Sequence, residues 1–134
     1  MENIRSFREL KVWQRAMDAA MRIFVLTKAW PADERYALTD QLRRSSRSVP
    51  SNIAEAWRKR RYPAAFVAKL NDSEAEAAES QTHLEMATRC GYITESETVS
   101  LDKDYEEILA MLVAMASRPD QWTIRRPSTD SRPH

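Results

Sequence analysis

A chain of 134 residues with one glycine, Gly91, has little means of closing tight hairpins, which draw on glycine for positive φ. It is rich instead in Ala, Glu, Arg and Leu, the strong helix formers. Against that background the prolines act as punctuation. Pro31, Pro63 and Pro119 fall between runs whose apolar residues recur at steps of three and four. The pattern predicts an all-α protein.

Four helical segments follow, over 6–29, 33–61, 63–90 and 95–117, forming one domain over 6–118. The first opens with Ser6-Phe7-Arg8-Glu9, an S-x-x-E capping box. Its apolar residues form two stripes. One holds Trp13, Met17, Ala20, Phe24 and Thr27; the other holds Val12, Ala16, Ala19, Ile23, Leu26 and Trp30. Together they make a face wider than a single core needs, so Val12, Ala16, Ala19, Ile23, Leu26 and Trp30 are candidates for an oligomer interface.

The second segment begins at Asp33-Glu34, acids suited to the positive end of a helix dipole. Leu38, Leu42, Val49, Ile53, Ala56 and Trp57 line one side. Pro50 lies inside it and predicts a kink, or a split after Ser48, with Ser45, Ser46, Ser48 and Ser51 satisfying freed backbone groups. Pro63 starts the third segment, which carries Phe66, Leu70, Ser73, Ala77, Ser80, Leu84 and Ala87 and stops at Gly91. Thr94-Glu95-Ser96-Glu97 is a second capping box, ahead of Leu101, Tyr105, Ile108, Leu112 and Met115. Residues 119–134 lack periodicity and are expected to form a flexible tail; Trp122 with Arg125 and Arg126 is its one candidate interaction arm. Short connections between long helices predict an antiparallel up-down-up-down four-helix bundle, with the second helix kinked near Pro50.

Charge is split along the chain although the net is only +1. Residues 5–30 carry six Lys/Arg against two acids, and 33–62 carry eight against four. Residues 63–90 carry two against five, and 94–117 one against six. On a continuous helix Arg43, Arg47, Arg58 and Arg61 share a face; with Lys59 they are candidates to bind nucleic acid or a partner. The low net charge favours the plainer reading, in which such arginines pair with acids on other helices or subunits. Gln41, Arg44, Asn52, Glu55 and Glu79 lie close to apolar stripes and are expected to form a satisfied polar network, with Arg44 turned inward to Glu55 or Glu79.

Other chemistry finds few residues to carry it. A di-iron bundle needs two Glu-x-x-His motifs, and the chain has only His83 and His134. Cys90 is expected to pack as a small apolar residue, and Trp13, Trp30 and Trp57 to pack in the core or an interface. No Gly-rich phosphate loop, Ser-His-Asp set or zinc spacing is present, so no metal, cofactor or catalytic residue is assigned. The uncharged apolar run Ile23-Phe24-Val25-Leu26 is too short to cross a bilayer, and Met1-Glu2-Asn3-Ile4-Arg5 lacks a secretion signal's apolar stretch. With one cysteine, the expected compartment is the cytoplasm.

Several stretches carry a family resemblance. They are Phe7-Arg8-Glu9-Leu10-Lys11-Val12-Trp13-Gln14-Arg15-Ala16, Trp30-Pro31 with Glu34, Gln41-Leu42-Arg43-Arg44-Ser45-Ser46, and Ser48-Val49-Pro50-Ser51-Asn52-Ile53-Ala54-Glu55-Ala56. Glu79, Thr82, Leu84, Ala87 and Gly91-Tyr92-Ile93 continue it. The chain resembles the four-helix-bundle family named for proteins encoded in intervening sequences of bacterial 23S ribosomal RNA. A related branch serves as accessory protein to the reverse transcriptase of diversity-generating retroelements. The resemblance implies a ring-like homo-oligomer, typically a pentamer, and in the retroelement branch a basic surface for nucleic acid and the polymerase. The chain departs from the family pattern at Ala56 and at Ala75-Glu76, where members commonly carry glycine and Gly-Ser.

These readings converge on a non-enzymatic, homo-oligomeric bundle that contacts RNA or a nucleic-acid-processing partner through its basic half. A structural oligomer binding only protein is the alternative, and an enzyme using Glu55 and Glu79 is a third.

Overall fold

The computed structural model describes residues 3–124. Four helices, α1 (Lys11–Thr27), α2 (Leu38–Arg58), α3 (Pro63–Arg89) and α4 (Glu95–Ser117), make the architecture, and no strand occurs among the described residues.

Side-chain register gives the topology. Arg15 meets Glu107 and Arg22 meets Ser100, so α1 and α4 run in opposite directions. Arg44 meets Glu79 while Glu55 meets Lys69, which makes α2 and α3 antiparallel. Gln81 bonds Asp102 and Glu106, and Thr88 meets Thr98, which does the same for α3 and α4. Thr27 meets Arg43 beside the α1–α2 connection. Each helix packs on its neighbours in sequence, and α1 closes on α4. This is the up-down-up-down bundle.

Capping explains most of the boundaries. Thr94 Oγ1 accepts from the Glu97 N–H at 3.1 Å and the Glu97 carboxylate accepts from the Thr94 N–H at 3.1 Å, so the box before α4 is complete. At the end of α3, the Tyr92 N–H donates to the Ala87 carbonyl and the Gly91 N–H to that of Thr88, a Schellman closure that needs the left-handed φ of 79° at Gly91.

The box at Ser6 closes something shorter than expected. It caps a 3-10 turn over Phe7–Glu9, after which Leu10 is extended and buried. Burying Leu10 wins over continuing the helix, and α1 starts at Lys11 with no side-chain cap. The second helix also starts late. Ala32–Glu34 form a 3-10 turn, and α2 begins at Leu38, whose N–H donates to the Glu34 carboxylate at 3.4 Å. Glu34 therefore serves the helix from one turn upstream.

Pro50 does not split α2, which runs unbroken from Leu38 to Arg58. The hydroxyls of Ser45, Ser46 and Ser48 donate to the carbonyls of Leu42, Arg43 and Arg44. These bonds serve carbonyls upstream of Ser46, the one that the proline leaves without an N–H. Small residues let α3 come close here: Ser45, Ser73, Ala77 and Ser80 are all buried. Ser45 and Ser80 share a 2.8 Å hydrogen bond, and Ser73 donates to the Val49 carbonyl at 2.9 Å.

The chain beyond α4 departs from the expected tail. Pro119–Gln121 form a 3-10 turn, Trp122 packs partly buried against the core, and the Ile124 N–H donates to the Arg60 carbonyl. Arg125, Arg126 and the rest of the predicted tail lie outside the described residues. Cys90, expected to pack as an apolar residue, is exposed, because it caps α3 where the chain turns outward.

Candidate functional site: an arginine groove on α2

The interface expectation for α1 needs correction. Val12, Ala16, Ala19, Ile23 and Trp30 are buried within the protomer and Leu26 partly so, because α1 packs on both α2 and α4 and the two neighbours absorb this stripe. What stays bare is a different strip. Met21 is 54% and Val25 60% exposed, next to the half-buried Met17 and Phe24. Met17, Ala20, Met21, Phe24, Arg47 and Pro50 line a shallow concavity of about 280 Å³ there. The sequence-based stripes contain neither Met21 nor Val25.

The polar network is likewise relocated to the surface. Arg44 remains 50% exposed and grips Glu79 at 2.8 Å and Glu76 at 3.3 Å across the α2–α3 seam. Glu55 pairs with Lys69 at 3.1 Å, and the Asn52 carboxamide oxygen accepts from the same ammonium at 3.5 Å. Gln41 is exposed. Glu79 and Lys69 stand ten residues apart on α3, about 15 Å of helix. Glu55 and Glu79 are thus held by separate cations toward opposite ends of a seam, and they do not form a catalytic pair. Among the described residues no group of three or more His, Cys, Asp or Glu side chains is arranged to hold a metal.

The Arg44 guanidinium, hydrogen-bonded to Glu79, holds the Glu79 carboxyl below its ordinary value of 4.5. The Thr94 N–H and then its hydroxyl do the same for Glu97. Both groups titrate lower when folded than when unfolded, so the stability they add is complete above 4.5 and is lost as pH falls through their folded values. The urea midpoint should hold between about pH 7 and 5 and drop toward about pH 3. Glu79→Gln should shrink that drop, and an equal drop in the variant would show that the pair contributes nothing.

The basic residues sort into three groups. Arg15, Arg22 and Arg44 pair with acids of α4 or α3, which accounts for part of the charge split between the halves of the chain. Arg60 is structural: its guanidinium stacks 3.4 Å from the centre of the Trp57 ring and donates to the Trp57 carbonyl at 2.8 Å. Burial, and then the nearby Arg58, lower its pKa. The third group has no carboxylate within 4 Å among the described residues; it includes Arg35, Arg43, Arg47, Arg58, Lys59 and Arg61.

This third group is not one face. Because α2 ends at Arg58, Lys59 and Arg61 leave the helix and do not extend the row. Arg58 itself lies about 16 Å along the axis from Arg47. Arg43 and Arg47 meet Arg35 and Arg44 instead, lining an open groove of about 550 Å³ that also includes Tyr36, Asp40 and Ser51. Arg43 is pre-positioned: its Nε donates to Thr27 Oγ1 at 2.8 Å and its guanidinium lies 4.9 Å from the Phe24 ring centre. Lys28 and Arg47 approach the same ring at 4.7 and 5.8 Å.

The fold and this surface define a helical-bundle protein with a concentrated basic groove on its second helix. The chain belongs to the 23S rRNA-intervening sequence protein family, whose pattern matches residues 8–114. It is similar to a crystal structure of a protein with unknown function from the S23 ribosomal protein family of Bacteroides thetaiotaomicron. The two are 31% identical with a TM-score of 0.72, over 79% of this chain and 95% of that one. No curated protein matches the sequence. No helix among the described residues is long and apolar enough to cross a membrane.

Proposed function

We propose that this chain is a non-enzymatic bundle that assembles with copies of itself and binds RNA along the arginine groove of α2. The observation that carries the RNA reading is the set Arg35, Arg43 and Arg47, which line one groove without a carboxylate partner among the described residues. Guanidinium groups so placed neutralise phosphates and release counterions, giving binding that is independent of sequence and sensitive to salt. Asp40 is the one carboxylate in the groove, and Arg44 is already neutralised by Glu76 and Glu79. Self-assembly is supported by the bare Met21 and Val25 on α1, and the family resemblance makes a pentameric ring the expected form.

Binding to mixed-sequence RNA should weaken steeply with salt. Arg43→Ala with Arg47→Ala should weaken it further and reduce the slope of log K against log salt by about two. Arg58→Ala with Arg61→Ala, at and just beyond the far end of α2, should change it far less. Absence of binding at low salt, or equal losses in the two double variants, would discard the groove. The competing reading, a protein-binding oligomer without nucleic acid, draws on the arginines already paired with acids within the bundle, and it gains if RNA fails to bind.

A further inference from the structure

We infer that the groove takes single-stranded nucleic acid, with Tyr36 serving as a stacking platform for one unpaired base. This rests on the reading of the groove as an RNA seat and adds what happens to the bases there. Tyr36 is 88% exposed, more than any other large hydrophobic side chain among the described residues, and it lines the same groove as Arg35, Arg43 and Arg47. A lone exposed aromatic is unremarkable on a protein surface. One fixed beside three unpaired arginines has the composition of a strand-binding surface.

The ring stands on a stiff base. Tyr36 lies between the Ala32–Glu34 turn and α2, where the Arg35 N–H donates to the Ala32 carbonyl at 3.1 Å and the Ala37 N–H to that of Glu34 at 3.0 Å. The Glu34 carboxylate is itself held, accepting from the Tyr92 hydroxyl at 2.7 Å and from the Leu38 N–H. Tyr92 in turn packs its ring 5.7 Å from that of the buried Trp30. The backbone beneath Tyr36 is therefore anchored to the α3–α4 connection, while the side chain itself stays in water. Little backbone freedom remains to be lost when a base settles on that ring.

The arrangement selects for strand form. Arg43 and Arg47 are one helical turn apart, about 6 Å along the axis, suited to neighbouring phosphates of one strand. In a duplex both faces of each base are already stacked, so a duplex offers the arginines its phosphates and Tyr36 nothing. An acidic peptide would likewise use the arginines and leave the ring idle.

The test uses the full chain and three labelled probes: a short RNA of mixed sequence, the same strand annealed to its complement, and an abasic strand of equal length and charge. The base-bearing strand should bind at least about fivefold tighter than the abasic strand, the low end of what one stacked base contributes. Tyr36→Ala should remove that advantage and leave abasic binding unchanged, whereas Tyr36→Phe should keep it. Because Tyr36 is bare, neither substitution disturbs the core. Equal affinity for base-bearing and abasic strands, equal affinity for duplex and single strand, or a Tyr36→Ala loss on both strands would overturn the inference. If salt-sensitive binding persists and needs Arg43 and Arg47 but ignores Tyr36, only the stacking fails. If no probe binds at low salt, the RNA reading of the groove fails with it.

Discussion

A chain carrying Met21→Glu and Val25→Glu is expected to run as a single 15.6 kDa species in light scattering, while the unaltered protein runs as a multiple of that mass. The two side chains lie one helical turn apart and are more than half exposed, so the bundle has little packing to lose by the change. Exposed substitutions of this kind stay within about 0.5 kcal/mol. An interface built on them reacts very differently. Each buried Val or Met contributes about 1.5–3 kcal/mol there, and a carboxylate without a partner costs several more. Circular dichroism should remain that of the parent. If the variant keeps the parent's mass, the strip on α1 is not where copies meet. If the parent is itself a 15.6 kDa species at micromolar concentration, self-assembly is refuted.

Phe66→Ala should be among the most damaging single changes in the bundle. Phe66 sits in the first turn of α3, fully buried, in a core shared by all four helices. Removing a buried ring takes away its transfer energy and leaves a cavity, together about 3–5 kcal/mol. Against a total stability on the order of 10 kcal/mol, that lowers the melting temperature by roughly 10–20 °C. Arg44→Ala, which breaks two surface pairs at once, should cost no more than about 1 kcal/mol because Arg44 remains half in water. Thermal melts of the two variants side by side check the ranking. A larger loss for Arg44→Ala would mean that the α2–α3 seam, and not the apolar core, dominates stability.

What could be read from the sequence follows from how local each feature is. Helix interiors were legible because apolar spacing repeats: Leu101, Tyr105, Ile108, Leu112 and Met115 all point into the core. Gly91 and the Thr94 box were legible because a cap is a four-residue event. The Ser6 box misled, since its local geometry formed but the burial of Leu10, a tertiary effect, stopped the helix after one turn. Which stripe of α1 stays bare depends on how α2 and α4 pack against it, and periodicity along one helix cannot report that.

The groove does leave a periodic signal in the sequence. Arg35, Thr39, Arg43, Arg47 and Ser51 recur every four residues, and Tyr36, Asp40, Arg44 and Ser48 form a second row beside them. The basic cluster at 58–61 is denser in sequence but is not the groove. In that cluster Arg60 is spent on Trp57, and the helix ends before Arg61. Lys69 as the partner of Glu55 had no local signal, because the pairing depends on the register of α3 against α2.

Arg47 stands on a border, lining both the basic groove and the concavity beside Met21 and Phe24. Joining two copies along α1 would therefore bring their grooves close to the line of contact. A strand held by one copy would then find the next at high effective concentration, and weak individual holds would combine into avidity. On that geometry, the length of a nucleic acid would govern how long it stays bound.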